Sequence, residues 1–556
     1  MTVFLCGFMG CGKTTIGRIL ASRLGTEYID TDEYIVSETG MTIPEIFQKM
    51  GEPYFRKTES EAIRELCGKN AVIACGGGAM INKNNAETAA EHGVTVFLDV
   101  PFSVCWSRIK DDENRPIVKN NSRQQLEDIY NQRYNIYKGN SVLCVNADTS
   151  PENAAEIIEN AVRSYYKKGF CSQMKIYNAR IYTMDNGIIE NGWIEINNGK
   201  ICSVNNGTPD SICSGDINAE GKKMLPGFID AHTHLGIIEN GIGFEGDDCN
   251  EQTDPFTPHL RAIDGINPFD FCFEEAVKRG ITSVLICPGS ANPCGGSIVA
   301  SKTYGRRIDD MLIKNAGIKF ALGENPKTVY NDRDETPVTR MGVAAIIREG
   351  LHKARRYYEE CLKYQNDSEN YDLPEYDIRC ESLIPVLKRE EKAYFHCHRA
   401  DDICTAVRIS REFNLDTVIV HATEGHLIAD ILAEENIPVI AGPLLCDRCK
   451  PEMKNLKPEN AAVLFKNGVQ TAICTDHPVI PVQYLPVSAS LAVKGGMDSY
   501  AALEAITIIP ARIAGIDDRT GSITAGKDAD IQLYSSEPLD IMSEPEFVMI
   551  NGRQVV

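Results

Sequence analysis

Residues 7–14, GFMGCGKT, set three glycines ahead of a Lys-Thr pair. Residues 3–5 read as a short buried strand and residues 16–24 carry apolar side chains at helical spacing. The glycines therefore fall on a strand-to-helix turn, the setting in which such a loop cradles phosphate. There Gly7, Gly10 and Gly12 let backbone N–H groups face phosphate oxygens, Lys13 reaches the β/γ-phosphates and the Thr14 hydroxyl ligates Mg²⁺, with the helix N-terminus favouring the anion. A nucleoside triphosphate is the expected ligand. Asp30-Thr31-Asp32 ends the second expected strand, and alternation puts both carboxylates on one side of it. One carboxylate suits hydrated Mg²⁺ and the other an alcohol. Phosphoryl transfer depends on positioning and charge neutralisation, which makes Arg56, Arg108, Arg115 and Arg133 candidate partners. Gly76, Gly77 and Gly78, behind an apolar strand, permit close backbone approach to a ligand.

A second constellation uses imidazole. Ten histidines serve 556 residues, and most stand at or near the ends of expected strands. His232 and His234 close GFIDAHTH, where alternation points both rings to one side. His396 and His398, His421, and Asp476 in CTDHP close three later strands. This donor set suits one or two ions of Zn²⁺ or another divalent transition metal. His396 lies nearer its strand than His398 and is favoured as the ligand, with the choice left open.

These residues need two scaffolds. Across residues 1–165 short apolar strands (71–74, 94–100) alternate with amphipathic helices (124–137, 151–162), a parallel α/β pattern. Residues 166–173 read as a linker. Residues 174–226 change to alternating strands with Asn-Gly turns, and 521–556 return to that texture; together they are expected to form a small β-sandwich. Between them, residues 227–520 hold eight strand-like runs, at 227–231, 282–287, 298–301, 319–322, 393–396, 417–420, 439–441 and 470–474. Eight strands alternating with helices predict a (β/α)₈ barrel, whose site lies at the C-terminal ends of its strands. Residues 357–376 read as an insertion or solvated helix.

Composition excludes several classes. A net charge of −21 disfavours nucleic-acid binding through a basic face. No apolar run approaches the length that spans a bilayer. Twenty cysteines are scattered, with no basic n-region and cleavage site before the first strand, so reduced thiols in the cytosol are expected. Cys446 and Cys449 form a lone CxxC pair, weak grounds for zinc or redox chemistry.

Residues 1–165 resemble shikimate kinase, through GFMGCGKTT, YIDTD, GEPYFRKTE, CGGG, the NRP at Arg115 and the QRYNIY at Arg133. The resemblance implies ATP bound by Gly10, Cys11, Gly12, Lys13, Thr14, Thr15, Arg108 and Arg115, with Mg²⁺ at Thr14 and Asp30. It implies shikimate held by Asp32, Arg56, Glu59, Gly76, Gly77, Gly78 and Arg133, with Asp32 receiving the hydroxyl proton and Arg115 on a lid. Lys13 and Arg115 would act on the transferring phosphate. The product would be shikimate 3-phosphate. A kinase for another small alcohol, beside a barrel that only binds or senses a metabolite, is the alternative.

Residues 174–556 resemble the metal-dependent amidohydrolase superfamily, near the imidazolonepropionase-like branch, through the histidine motifs and GSITAGKDADIQL. The resemblance implies a metal held by His232, His234, His396, His421 and Asp476, with Asp476 also taking a proton from the attacking water. Members with two metals often bridge them with a carbamylated lysine at the fourth strand end. In this chain Glu324 is the natural bridging carboxylate, or else an active-site acid or a capped loop residue. Deaminases of the superfamily carry a glutamate where Arg399 stands, so hydrolysis of an amide or related C–N bond is expected. His259, Arg261, His426 and His477 are candidates to shape a pocket whose substrate the sequence does not name.

Overall fold

The computed structural model describes residues 2–110, 121–167, 173–213 and 215–556, in two compact units, Met1–Ser172 and Gln173–Val556. Expected linker residues 168–172 and Arg115 lie outside the described residues.

In the first unit, β1 (Val3–Cys6), β2 (Glu27–Asp30), β3 (Ala71–Ala74), β4 (Val94–Asp99) and β5 (Leu143–Asn146) form a sheet of order β2-β3-β1-β4-β5. Every pairing in it is parallel. β1, β3 and most of β4 are fully buried, as expected of apolar strands covered by helices on both faces. The connecting helices include α1 (Lys13–Leu24), α2 (Thr31–Thr39), α3 (Ile43–Leu66), α4 (Lys83–His92), α5 (Phe102–Ile109), α6 (Arg123–Gly139) and α7 (Pro151–Lys167). β1 sits where the strand order reverses, the place where open parallel sheets bind ligands. The loop from β1 to α1 makes that turn with left-handed backbone at Gly10 and Gly12. A Cβ at Gly10 would lie 2.8 Å from the Cys105 carbonyl, so close packing as well as φ requires glycine there.

The second unit begins with β6 (Gln173–Tyr182), β7 (Ile188–Asn197), β8 (Lys200–Asn206), β9 (Ile217–Asn218) and β10 (Lys223–Pro226). With the late strands β19 (Ile531–Tyr534), β20 (Phe547–Ile550) and β21 (Arg553–Gln554) they make one eight-stranded sheet. The chain thus returns, after the barrel, to the sheet it started. A buried ion cluster pins the flanking sheet to the barrel: Lys302, on a barrel strand, is held by Asp528 at 3.1 Å and by Asp530, all at most 3% exposed. Removing one partner from such a buried set costs about 3–5 kcal/mol.

The barrel sheet runs β11 (Phe228–Thr233), β12 (Ile281–Ile286), β13 (Cys294–Lys302), β14 (Leu312–Ala321), β15 (Lys392–Cys397), β16 (Thr417–His421), β17 (Val439–Ala441) and β18 (Thr471–Ile473), in that order. All eight expected strands are present. One departs from the regular pattern, since β13 pairs antiparallel with both neighbours. Only residues 287–293 separate β12 from β13, too few for the crossover a parallel pair needs. Between β18 and β11 closure rests on side chain and isolated backbone contacts. The buried Asp230 carboxylate accepts from the Thr475 hydroxyl at 2.5 Å and from the His232 and Thr475 amides. Asp476 N donates to His232 O, and His234 N to His477 O. Tyr357 ends the buried face of a long barrel helix, Arg340–Asn366, so the expected insertion begins only after that helix.

Candidate functional sites

In the first unit the nucleotide loop and the carboxylates meet at the carboxyl end of the sheet. Lys13 Nζ rests on the loop itself, donating to Gly7 O at 2.8 Å and Phe8 O at 3.2 Å. Thr14 and Thr15 are exposed on the first turn of α1, and Arg108 donates to Gly10 O at 3.1 Å. Cys11 is buried beneath the turn. Asp30 and Asp32 do not alternate along a strand as expected. Asp30 caps α2, its Oδ1 accepting from Asp32 N at 3.0 Å, so Asp32 stands in the first helical turn. Capping satisfies an orphan helix N–H and so outcompetes continued strand. The other oxygen, Asp30 Oδ2, accepts from Tyr28 at 3.3 Å and Thr14 at 3.5 Å.

The glycine turn gathers the remaining groups. A Cβ on Gly76 would lie 2.9 Å from Asp32 Oδ1 and 3.0 Å from Glu59 Oε1. One on Gly78 would run into the Arg56 guanidinium. Arg56 pairs with the buried Glu59 at 2.9 Å, and Arg133 and Tyr137 both donate to Gly77 O. Burial pushes the Glu59 carboxyl up, against the opposing pull of Arg56. Asp32, Arg56, Glu59, Arg133 and the three glycines thus share one place, with two cations and two carboxylates around a bare backbone turn. Tyr28 and Tyr137 escaped the sequence reading because a strand or helix tyrosine reads first as core.

In the barrel, His232 is buried in β11 with His234 just beyond it, His396 in β15 with His398 just beyond, His421 ends β16, and Asp476 follows β18. Among the described residues two groups of donors lie with their atoms within 4.8 Å of one another: His396, His398 and His421, and His232, His421 and Asp476. His232 Nε2 and His234 Nε2 are each 3.5 Å from Asp476 Oδ1. His421 and Asp476 both take positive φ, 73° and 57°. A non-glycine residue held there carries backbone strain, which clusters at functional positions.

The donor chemistry fits a divalent metal. His234 Nδ1 is paired with Cys287 O at 2.7 Å, His421 Nδ1 with Gly442 O at 2.8 Å and His398 Nδ1 with Thr423 Oγ1 at 2.7 Å. A hydrogen bond at one ring nitrogen fixes the tautomer and leaves the other free to ligate, as the outer shell of metal sites does. Burial holds His232, His396 and His398 well below the usual imidazole range and brings His421 to about 4, which keeps these rings neutral. Burial would raise the Asp476 carboxyl, but His421 and His234 outweigh it and hold the group low.

Two expectations change. Glu324 stands outside both donor groups: it opens the helix Glu324–Asn331 and exchanges hydrogen bonds with Glu452, its N donating to Glu452 Oε2 at 2.9 Å and its Oε2 accepting from Glu452 N at 3.3 Å. These two bonds brace Glu452, the loop role among those left open to it. Nearer the two donor groups is Lys319, unexposed within β14, whose Nζ lies 3.3 Å from His232 Nε2 and 3.2 Å from Pro288 O. Burial lowers its pKa. The signal was in the sequence: a lysine inside the apolar run IKFAL is almost never buried without a task.

Of the pocket candidates, His259 and Arg261 line a cavity of ≈ 760 Å³ together with Cys249, Pro288 and Arg333. His477 is buried and accepts from Val482 N through Nδ1, while His426 bonds Asn460 at the rim. Arg399 stands just before the helix Ala400–Phe413, whose first amide donates to Glu424, and pairs with Asp401 at 2.8 Å. Cys446 and Cys449 are free thiols and belong to neither donor group. No helix among the described residues is long and apolar enough to cross a membrane.

Each unit matches known proteins. Residues 9–163 match the family model for shikimate kinase, and residues 395–555 that of the amidohydrolase family. A shikimate kinase of Aromatoleum aromaticum is 36% identical over 171 residues, 30% of this chain and 98% of that protein. A solved amidohydrolase from Thermotoga maritima is 42% identical with a TM-score of 0.66, covering 69% of this chain and 99% of that one. Amidohydrolase tasK of Hapsidospora irregularis is 32% identical over 390 residues, 65% of this chain, and the chain spans only 39% of that protein's length. The chain therefore belongs to two families, its first unit to the shikimate kinases and its second to the amidohydrolases.

Proposed function

We propose that the first unit transfers the γ-phosphoryl group of ATP to shikimate and that the barrel hydrolyses an amide or related C–N bond. For the kinase, the observation that carries the reading is the gathering of Asp32, Glu59, Arg56 and Arg133 around the Gly76–Gly78 turn. Arg56 and Arg133 supply paired donors for the acceptor's carboxylate. Asp32 receives the proton of the attacking hydroxyl as the new P–O bond forms and ADP leaves, with Lys13 meeting charge on the phosphates and Mg²⁺ held at Thr14 and Asp30. An ATP-coupled assay tests this: turnover with shikimate is expected, and turnover undiminished in Arg56→Ala would sink the acceptor assignment.

For the barrel, the carrying observation is the set of buried, tautomer-fixed imidazoles beside Asp476. His232, His234, His396, His421 and Asp476 would hold a divalent ion, and Lys319, once its amine has added CO₂ as a carbamate, would bridge two. Such an ion polarises a scissile carbonyl and acidifies water. Asp476 takes the proton of the attacking water and returns it to the leaving nitrogen. The Arg399–Asp401 pair puts no carboxylate where deaminases need one, which supports hydrolysis. Metal analysis of the purified chain with a panel of amides and cyclic C–N substrates tests the reading. A metal-free preparation inert to added Zn²⁺ or Mn²⁺ would overturn it.

A further inference from the structure

The loop after β17 brings another cation to the histidines. Lys450 Nζ lies 2.9 Å from Asn325 Oδ1, 3.3 Å from Glu452 Oε1 and 3.5 Å from His398 Nε2. An ammonium has three N–H donors, and three acceptors from three separate segments surround this one. Glu452 is 1% exposed and its Oε1 accepts no well-directed hydrogen bond, so its charge is met chiefly by Lys450. His398 is fixed on its other side by Thr423, and its ring stacks on His421 with centroids 4.7 Å apart.

Without the ammonium, His398 Nε2 would be freed to face the same ion as His396 and His421, and Glu452, which stands outside that group of donors, would lose the cation that holds it beside the ring. His396, His398 and His421 already stand within mutual reach of one ion, and Glu452 Oε1 is 3.7 Å from His398 Nε2. Three imidazoles, joined by that carboxylate once it turns towards them, would fill the four positions of a tetrahedral divalent ion. Filled sets belong to structural sites, whereas catalytic sites keep one position open. We propose that Lys450 is a tethered cation that withholds His398 and Glu452 from the metal and so preserves an open position on the His396/His421 side. This rests on the metal-dependent reading of the barrel and adds to it why two histidines on one strand end do not both ligate. It also makes Lys450 a positioning residue, acting through His398 and Glu452.

The test uses the full chain, stripped with chelator and titrated with Co²⁺ while the visible spectrum is recorded. Lys450→Met is expected to bind Co²⁺ about tenfold or more tightly than wild type, with the more intense spectrum of a four-coordinate ion. The double variant Lys450→Met/His398→Ala is expected to fall back towards wild type. A single variant with wild-type affinity and spectrum overturns the proposal, as does tight binding that survives loss of His398. Thermal unfolding checks that each variant is folded, and Lys450→Gln gives the same readout should the methionine prove disruptive. A wild-type chain that takes up no Co²⁺ would instead overturn the metal-dependent reading, and this proposal with it.

Discussion

The two sites solve opposite electrostatic problems. Around the glycine turn the working groups are charged and partly solvated: the Arg56 side chain is 36% exposed and pairs with Glu52 and Glu59, while Lys13 leans on its own loop's carbonyls. In the barrel the working groups are buried, and burial keeps His232, His396, His398 and His421 neutral beside the Asp476 carboxylate, with His396 and His421 at most 3% exposed. His234 is the exception, its burial outweighed by Cys249 and Asp476, which push it up. A guanidinium cannot be neutralised, so before its anion arrives it must keep either water or a carboxylate partner. An imidazole can be neutralised, and burial does so, which is the state a metal requires. The phosphate-handling site therefore waits in self-paired form, whereas the barrel site is assembled in advance.

The comparison breaks most sharply at Asp476. Asp476→Asn would remove the proposed proton acceptor and candidate ligand beside His232 and His234, and hydrolysis is expected to fall about 10²–10⁴-fold with shikimate phosphorylation unchanged. Equal loss of both activities would refute the division of labour. Next comes Gly78→Ala, whose Cβ runs into Arg56 and must displace the guanidinium. A misplacement of about 1 Å costs on the order of 10²-fold, expected here as a raised KM for shikimate. Gly77→Ala is the control, since nothing lies within 4 Å of the added Cβ. If both alanines are equally harmful, backbone freedom rather than Arg56 is the cause.

Ligand addition sharpens the contrast thermodynamically. A ligand at a hundred times its Kd stabilises the unit that binds it by about 2.7 kcal/mol. ATP with shikimate is expected to raise the melting of the smaller unit alone, and Zn²⁺ that of the larger alone. Calorimetry of the full chain distinguishes this from a single joint transition.

Much of this was legible because the sequence carries period and punctuation. The barrel strands read as apolar runs, and at or just beyond the ends of four of them stand His232 and His234, His396, His421 and Asp476, so their spacing was legible. The reversal of β13 was not legible, because an antiparallel buried strand and a parallel one have the same composition; the short loop 287–293 was the only sign. Lys319 lies inside its apolar run, yet no local pattern shows which group such a lysine meets; only the fold brings His232, 87 residues away, against it. Lys450 and Glu452 come from a loop remote in sequence, and no local pattern places such a loop over a barrel. Asp32 was misplaced because strand alternation and a helix cap give the same DxD spacing.

The smallest expected effect lies at Tyr28, and it probes how well the waiting kinase site is organised. The Tyr28 ring packs against Gly17, where a Cβ would lie 2.7 Å away, and carries the Arg18 guanidinium at 5.4 Å. Burial and Asp30 push its phenol up to about 12, so it remains a donor throughout the neutral range. Its hydroxyl and that of Thr14 both address Asp30 Oδ2, while Oδ1 caps α2, which leaves the carboxylate little freedom to turn. Tyr28→Phe keeps the ring and deletes one hydrogen bond, worth about 1 kcal/mol in a half-exposed setting. The Mg²⁺ needed for half-maximal phosphorylation should therefore rise by roughly fivefold, with KM for shikimate and hydrolysis unmoved. An unchanged Mg²⁺ requirement would mean that the helix cap alone orients Asp30. A raised KM for shikimate would mean that the metal side and the acceptor side of α2 are coupled through Asp32, which neighbours both.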